Sequence, residues 1–243
     1  MTDILDTLKD DNEYYRGVGR NYLSNSDIGT LLTNPKMFKV ATEDNKAFAE
    51  GRYFHQLMIE PEKAKGIVTC DVATRTTKEY KKFCDDRGLA FALLTKEAEE
   101  IERLVDVMRN NMVFFDDIYR PDNRYEVPAV GEIQGMMWKG KADIVCSDML
   151  IDLKTTGDIG KFRYSAKNYN YDSQCYIYQK LFGRPLVFFV IDKGTSQLGI
   201  FKPSDSFVAG GEEKVARAIE VYNRFFGPDA TDDVNTYFIQ ETL

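Results

Sequence analysis

Asp152 and Lys154 stand two residues apart in "LIDLKTTG" (150–157), so on a β-strand both charged groups leave the same face of the pleat. Just upstream, "CSDM" (146–149) reads as a hairpin with a two-residue loop, which sets Cys146 against Met149 and, counting outward, Asp143 against Asp152. Directly opposed residues have Cβ atoms roughly 5 Å apart, so two carboxylates and an ammonium converge on one spot. Opposed carboxylates repel unless a cation lies between them, and a divalent metal would supply that charge. The same three side chains would also make a partly exposed salt-bridge triad at a sheet end. The apolar neighbours Ile144, Val145, Leu150, Ile151 and Leu153 favour the metal, because stray charge on a buried strand pair is costly.

His55 is the only histidine, on a helix expected at about 44–60 whose stripe runs Phe48, Gly51, Phe54/His55, Met58. It reads either as a hydrogen-bonded core residue or as a nitrogen ligand beside the carboxylates, with Gly51 allowing close approach to a neighbouring element. Such mixed N/O ligands suit Mg²⁺ or Mn²⁺. Gln174 and Tyr178 are four apart on one helical face. Spacing alone favours a surface or core pair over an amide and a phenol set beside a phosphate. Ser24 and Ser26, with Arg20 upstream, open a short helix that ends at Asn34-Pro35. They either cap it or hold an anion at its N-terminus.

The elements that must carry these residues follow from periodicity. Thr77 and Thr95 cap two helices, the second with a seam of Ala98, Ile101, Val105, Met108 and Met112. From Arg124 the period becomes two, giving strands "RYEVPAV", "IQGMMWKGKADIVC" and "MLIDLKTT" divided by Gly and by Ser147-Asp148. A helix at 170–182, strands "LVFFVID" and "SQLGIFK", and a helix "EEKVARAIEVYNRFF" complete the order. That order predicts an α/β fold with a central mixed sheet flanked by helices, in one domain spanning 1–243.

The net charge of −7 is concentrated at the ends, about 1–16 and 228–243, which leaves the body formally neutral. The acidic balance therefore does not exclude DNA, and "RTTKEYKKF" and "KFRYSAK" are locally basic. The four cysteines, Cys70, Cys84, Cys146 and Cys175, have no C-x-x-C spacing and read as reduced structural thiols. An acidic start and the lack of an apolar run of about 18 residues predict a cytoplasmic protein with no membrane partner.

Asp143, then Asp152-x-Lys154 at a strand end, then a helix with Q-x-x-x-Y, resembles the nuclease core of the PD-(D/E)xK superfamily. The stretches "YLSNSDIGTLLTNPKMFK", "FAEGRYFHQLMIEPE", "GKADIV", "IDLKTTGD" and "YNYDSQCYIYQ" are similar to RecE-type exonucleases and distantly to the lambda-type enzyme. The resemblance implies a restriction-endonuclease-like core. It makes His55, Asp143, Asp152 and the Leu153 carbonyl metal ligands, and gives Lys154 the task of positioning and helping to deprotonate water. It turns Gln174 and Tyr178 into active-site supports, and Arg20, Ser24 and Ser26 into a 5′-phosphate pocket. Glu126 resembles the acidic residue that opens the family's hairpin. Lys161 and Arg163 would contact the DNA backbone.

The implied activity is a Mg²⁺-dependent (or Mn²⁺-dependent) 5′→3′ exonuclease on linear double-stranded DNA ends that leaves 3′ overhangs for recombination. The implied partners are further copies in a ring-shaped homo-oligomer and a single-strand annealing protein. Two alternatives are another PD-(D/E)xK nuclease, structure-specific or of the CRISPR-adaptation type, and a catalytically silent DNA-binding accessory protein.

Overall fold

The computed structural model describes residues 3–42 and 44–240. Helices form where a capping side chain precedes an apolar stripe. Helix α1 (Asn25–Thr33) opens behind Ser24. Helix α2 (Lys46–Ile59) opens at Asn45, whose side chain accepts the Phe48 N–H, and ends before Pro61. Helix α3 (Lys78–Arg87) runs from a Thr77 cap to a left-handed Gly88.

Helix α4 (Thr95–Asn110) buries Ala98, Ile101, Leu104, Val105 and Met108. Met112 was expected on that seam but is 78% exposed. Asn111 leaves helical geometry and caps a new short helix, Met112–Ile118, so the face rotates there. Phe48, expected on the α2 stripe, is also exposed, and a Cβ on Gly51 would meet open space rather than a packed neighbour. The stripe is therefore carried by Phe54 and Met58, both fully buried.

Strands β1 (Arg124–Ile133), β2 (Met136–Val145), β3 (Leu150–Thr156), β4 (Leu186–Asp192) and β5 (Leu198–Phe201) form a five-stranded sheet in chain order. Only β3 and β4 are parallel, and helix α5 (Tyr171–Phe182) lies in their crossover. Helix α6 (Asp205–Phe225) follows β5. A two-residue pairing of Thr69–Cys70 with Leu93–Leu94 was not anticipated from the sequence.

The first hairpin turns at Gln134-Gly135, both left-handed, rather than near Gly131, so "EI" belongs to β1. Two consecutive positive-φ residues make the tight turn whose twist suits a hairpin, and Gln at the first of them hides the signal.

Two apolar layers sandwich the sheet. Phe54, Met58, Ile101 and Met108 pack on Ile144, Ile151, Leu153 and Phe189, while residues of α1, α5 and α6 pack on Trp138, Leu150, Phe188 and Val190. The alternation breaks once. Tyr125 joins the first layer and Val127 the second, although residues two apart on a strand share a face. Glu126 between them has φ 48°, and the β1–β2 ladder keeps its register on both sides while skipping Glu126 and Asp143. Beside this break the sheet splits. Strands β2 and β3 pair only through Ile144–Ile151 and Val145–Leu150. Beyond, Leu23 takes up the free edge of β2, donating to the Met137 carbonyl and accepting from the Lys139 N–H.

All four cysteines are buried free thiols. Among the described residues no helix is long and apolar enough to cross a membrane.

Candidate active site

The split between β2 and β3 opens where Asp143 and Asp152 would form the next rung. Asp143 Oδ2 instead accepts the Leu153 N–H at 2.8 Å. Helix α2 brings His55 over this point, with Nδ1 3.3 Å from Asp143 Oδ2 and Nε2 2.7 Å from the Leu153 carbonyl oxygen. A neutral imidazole has one N–H, so with Nε2 donating to the carbonyl, Nδ1 turns a lone pair toward a carboxylate. That contact needs a proton or a cation between its atoms.

Glu126 completes the cluster. One ligand atom from each of His55, Glu126 and Asp143 lies within 4.8 Å of the others. Burial, then the neighbouring Asp143 and Glu60, push Glu126 up to about 8. Burial also raises the Asp143 carboxyl, opposed by His55 and reinforced by Asp152. Two carboxylates that resist ionising together, with a nitrogen aimed between them, match the donor set of a hard divalent cation.

Asp152 sits beside this trio in a group of its own. Its Oδ1 accepts from Gln174 Nε2 at 2.6 Å, and Lys154 Nζ lies 2.5 Å from Oδ2. Asp152 Oδ2 is buried, with the Lys154 ammonium as its ionic partner. Burial opposes charge on Lys154, but Asp152, Tyr171 and Asp143 outweigh it and hold the pKa above its ordinary value. Lys154 as it stands is an ammonium, with no lone pair to accept a proton. Its Nζ also lies 5.0 Å over the Tyr171 ring.

The other expected site residues are placed variously. The Leu153 carbonyl, expected as a ligand, accepts from His55. The Tyr178 hydroxyl accepts the Lys141 N–H and donates to the Lys141 carbonyl, pinning β2 two residues before Asp143 without reaching the carboxylates. Ser24 Oγ donates to Asp27 Oδ2 and contacts Ser26 Oγ, while Asp27 reaches back to the Ser24 N–H, so these side chains cap α1. Arg20 donates to the Lys39 carbonyl and lines a cleft of about 480 Å³ with Tyr22, Phe38 and Tyr222, a cleft that includes neither serine. Lys161 pairs with Asp158, and Arg163 donates to the Tyr164 hydroxyl at the surface.

Glu126 is the residue the sequence reading under-weighted. Had the hairpin been centred on Gln134-Gly135, counting back would have set Glu126 opposite Asp143. Asp11 had no such signal. It joins Lys141, whose side chain is 4% exposed, to Lys63 across the strand face leading to Asp143.

A sequence profile of the family described as "PDDEXK-like domain of unknown function (DUF3799)" matches residues 33–226. A crystal structure of a "putative exonuclease" from Eubacterium rectale superposes with a TM-score of 0.64 at 17% identity, over 96% of this chain and 94% of that one. The structure of SSO0001 aligns over 70% of this chain and 85% of its own at 15% identity, with a TM-score of 0.34, too slight a likeness to bear on the fold. No curated protein matches the chain.

Proposed function

Since the chain belongs to the PDDEXK-like family and has a restriction-endonuclease-like fold, we propose that it is a divalent-metal-dependent nuclease, and specifically a 5′→3′ exonuclease on linear duplex DNA. The observation that carries this reading is the meeting of His55, Glu126 and Asp143 beside the Asp152–Lys154–Gln174 group at the split in the sheet. The Eubacterium rectale protein's description as an exonuclease supports the choice of ends over internal sites.

His55, Glu126 and Asp143 would hold the cation, with the Asp152–Lys154 ion pair beside it. The chemistry supplied by such a cation, Mg²⁺ or Mn²⁺, is neutralisation of charge at the scissile phosphate and activation of water. Lys154, charged and fixed against Asp152, stabilises negative charge that develops on the phosphate and orients the nucleophile, so proton removal falls to another group. Gln174 fixes the Asp152 carboxylate. Tyr178 holds the β2 backbone that aims Asp143. Lys161 and Arg163 meet the phosphodiester backbone without base readout, so binding weakens steeply with salt and ignores sequence. The product is a 3′ single strand, which a ring of copies would pass to an annealing protein.

The test is digestion of end-labelled linear duplex, with and without a 5′-phosphate, beside a covalently closed circle. Label at the 5′ ends should leave first as mononucleotide in Mg²⁺, with no cleavage in EDTA and none of the circle. Internal nicking of the circle would replace the exonuclease reading, and activity undiminished by EDTA would remove the metal.

A further inference from the structure

We propose that Tyr169, backed by Tyr171, is a stacking platform for an unpaired nucleobase beside Lys154, an inference that rests on the nuclease reading. Tyr169 is 66% exposed. The rings of Tyr169 and Tyr171 lie 5.9 Å apart at 37°, and Tyr171 stacks in turn on Phe188 at 5.3 Å and 29°. The middle ring of this row reaches the site, because Lys154 Nζ sits 5.0 Å from the Tyr171 centroid. A base laid on Tyr169 is thus two ring contacts from the lysine that faces the scissile phosphate.

The turn is built to hold the ring out. Asn170 is left-handed, φ 57°, between the exposed Tyr169 and the half-buried Tyr171. Lys214 Nζ donates to the Lys167 carbonyl, Asn170 Oδ1 and Asp172 Oδ1, and Asn25 Nδ2 donates to the Asn170 carbonyl. A turn held in advance loses little backbone freedom on binding.

Charge chooses the occupant. The segment leading into the turn carries Lys161, paired with Asp158, and then Arg163 and Lys167 with no acidic residue between them. An exposed aromatic beside a basic run fits single-stranded nucleic acid, whose bases stack whatever their identity while the backbone meets the cations. Duplex DNA hides its base faces, so the platform acts on the terminal nucleotide once it leaves the helix.

The probe is a duplex with a short unpaired 5′ tail ending in 2-aminopurine, its linkages phosphorothioate to resist cleavage, titrated in Mg²⁺. Tyr169→Ala should weaken binding at least about fivefold and abolish the fluorescence change, whereas Tyr169→Phe and Tyr169→Trp retain both. An abasic terminal residue should cost the wild type the same factor and cost Tyr169→Ala nothing further. Wild-type affinity in Tyr169→Ala, or an abasic penalty that persists in it, overturns the platform alone. Failure of the wild type to bind any of these probes overturns the nuclease reading with it.

Discussion

Asp143 accepts the main-chain N–H of Leu153 through Oδ2 at 2.8 Å, where the β2–β3 ladder would otherwise continue. A side chain thus takes the place of a backbone acceptor at the point where two strands part. The relationship aims the carboxylate at His55 and satisfies a donor that the split would leave unpaired.

Removing the acceptor and removing the charge should therefore have separable effects. Asp143→Ala leaves the Leu153 N–H unpaired, at a cost of about 1–3 kcal/mol that is offset in part by relief of repulsion with Glu126. Asp143→Asn keeps an acceptor and should fold at least as stably as wild type in EDTA. Neither variant should gain melting temperature on adding Mg²⁺, whereas the wild type should, since a ligand that binds only the folded state stabilises it. Thermal melts with and without the cation decide this, and an equal Mg²⁺ response in Asp143→Asn would remove Asp143 from the donor set.

Lys154 touches the centre of the site through its contact with Asp152. Lys154→Ala should lower single-turnover cleavage by ~10²–10³-fold, the loss of one charge-stabilising group, while duplex affinity stays within a few-fold. Cleavage at the wild-type rate would refute its role.

Gln174 donates to the buried Asp152 Oδ1 at 2.6 Å. Gln174→Leu keeps the volume and removes the donor, so activity should fall about 10–100-fold, as is usual when a carboxylate at a metal site loses its orienting partner. Gln174→Asn, too short to reach, should behave alike. Full activity in both would show that Asp152 is oriented by Lys154 alone.

Glu97, on α4 away from the site, should govern the acid limb of stability. Burial works against its charge, but Arg75, the Leu94 N–H and Lys46 outweigh it and hold its carboxyl at about 2, against an ordinary 4.5. A depressed carboxylate stabilises the fold above its unfolded pKa, and that stability is lost as pH falls from about 4.5 through about 2. The contribution at neutral pH is roughly 3 kcal/mol. Urea titrations between those limits should show a shallower loss of stability for Glu97→Gln than for the wild type, and an unchanged slope would reject the assignment.

Much of the fold was legible because it is local. The Ser147-Asp148 loop sets the pairing of Cys146 with Met149, and that register runs as far as Ile144 with Ile151, one rung short of Asp143 and Asp152. The stripe of α4 up to Met108 and the buried strand β4 follow from periodicity in the same way. The Gln134-Gly135 turn failed to announce itself because glutamine seldom adopts a left-handed conformation, and Glu126 went under-weighted with it.

By itself, then, the chain's order of residues determined the Asp-x-Lys strand, the hairpin register beside it and the mixed sheet, since each depends on side-chain alternation or turn chemistry over a few positions. Only the tertiary structure decided that His55 lies on the Leu153 carbonyl 98 residues away, that Glu126 turns in beside Asp143, and that Asp11 reaches Lys141 across 130 residues. The reason is physical: those contacts arise where the sheet splits and the strand faces reverse, and a split depends on how far two backbones diverge under the helices packed upon them.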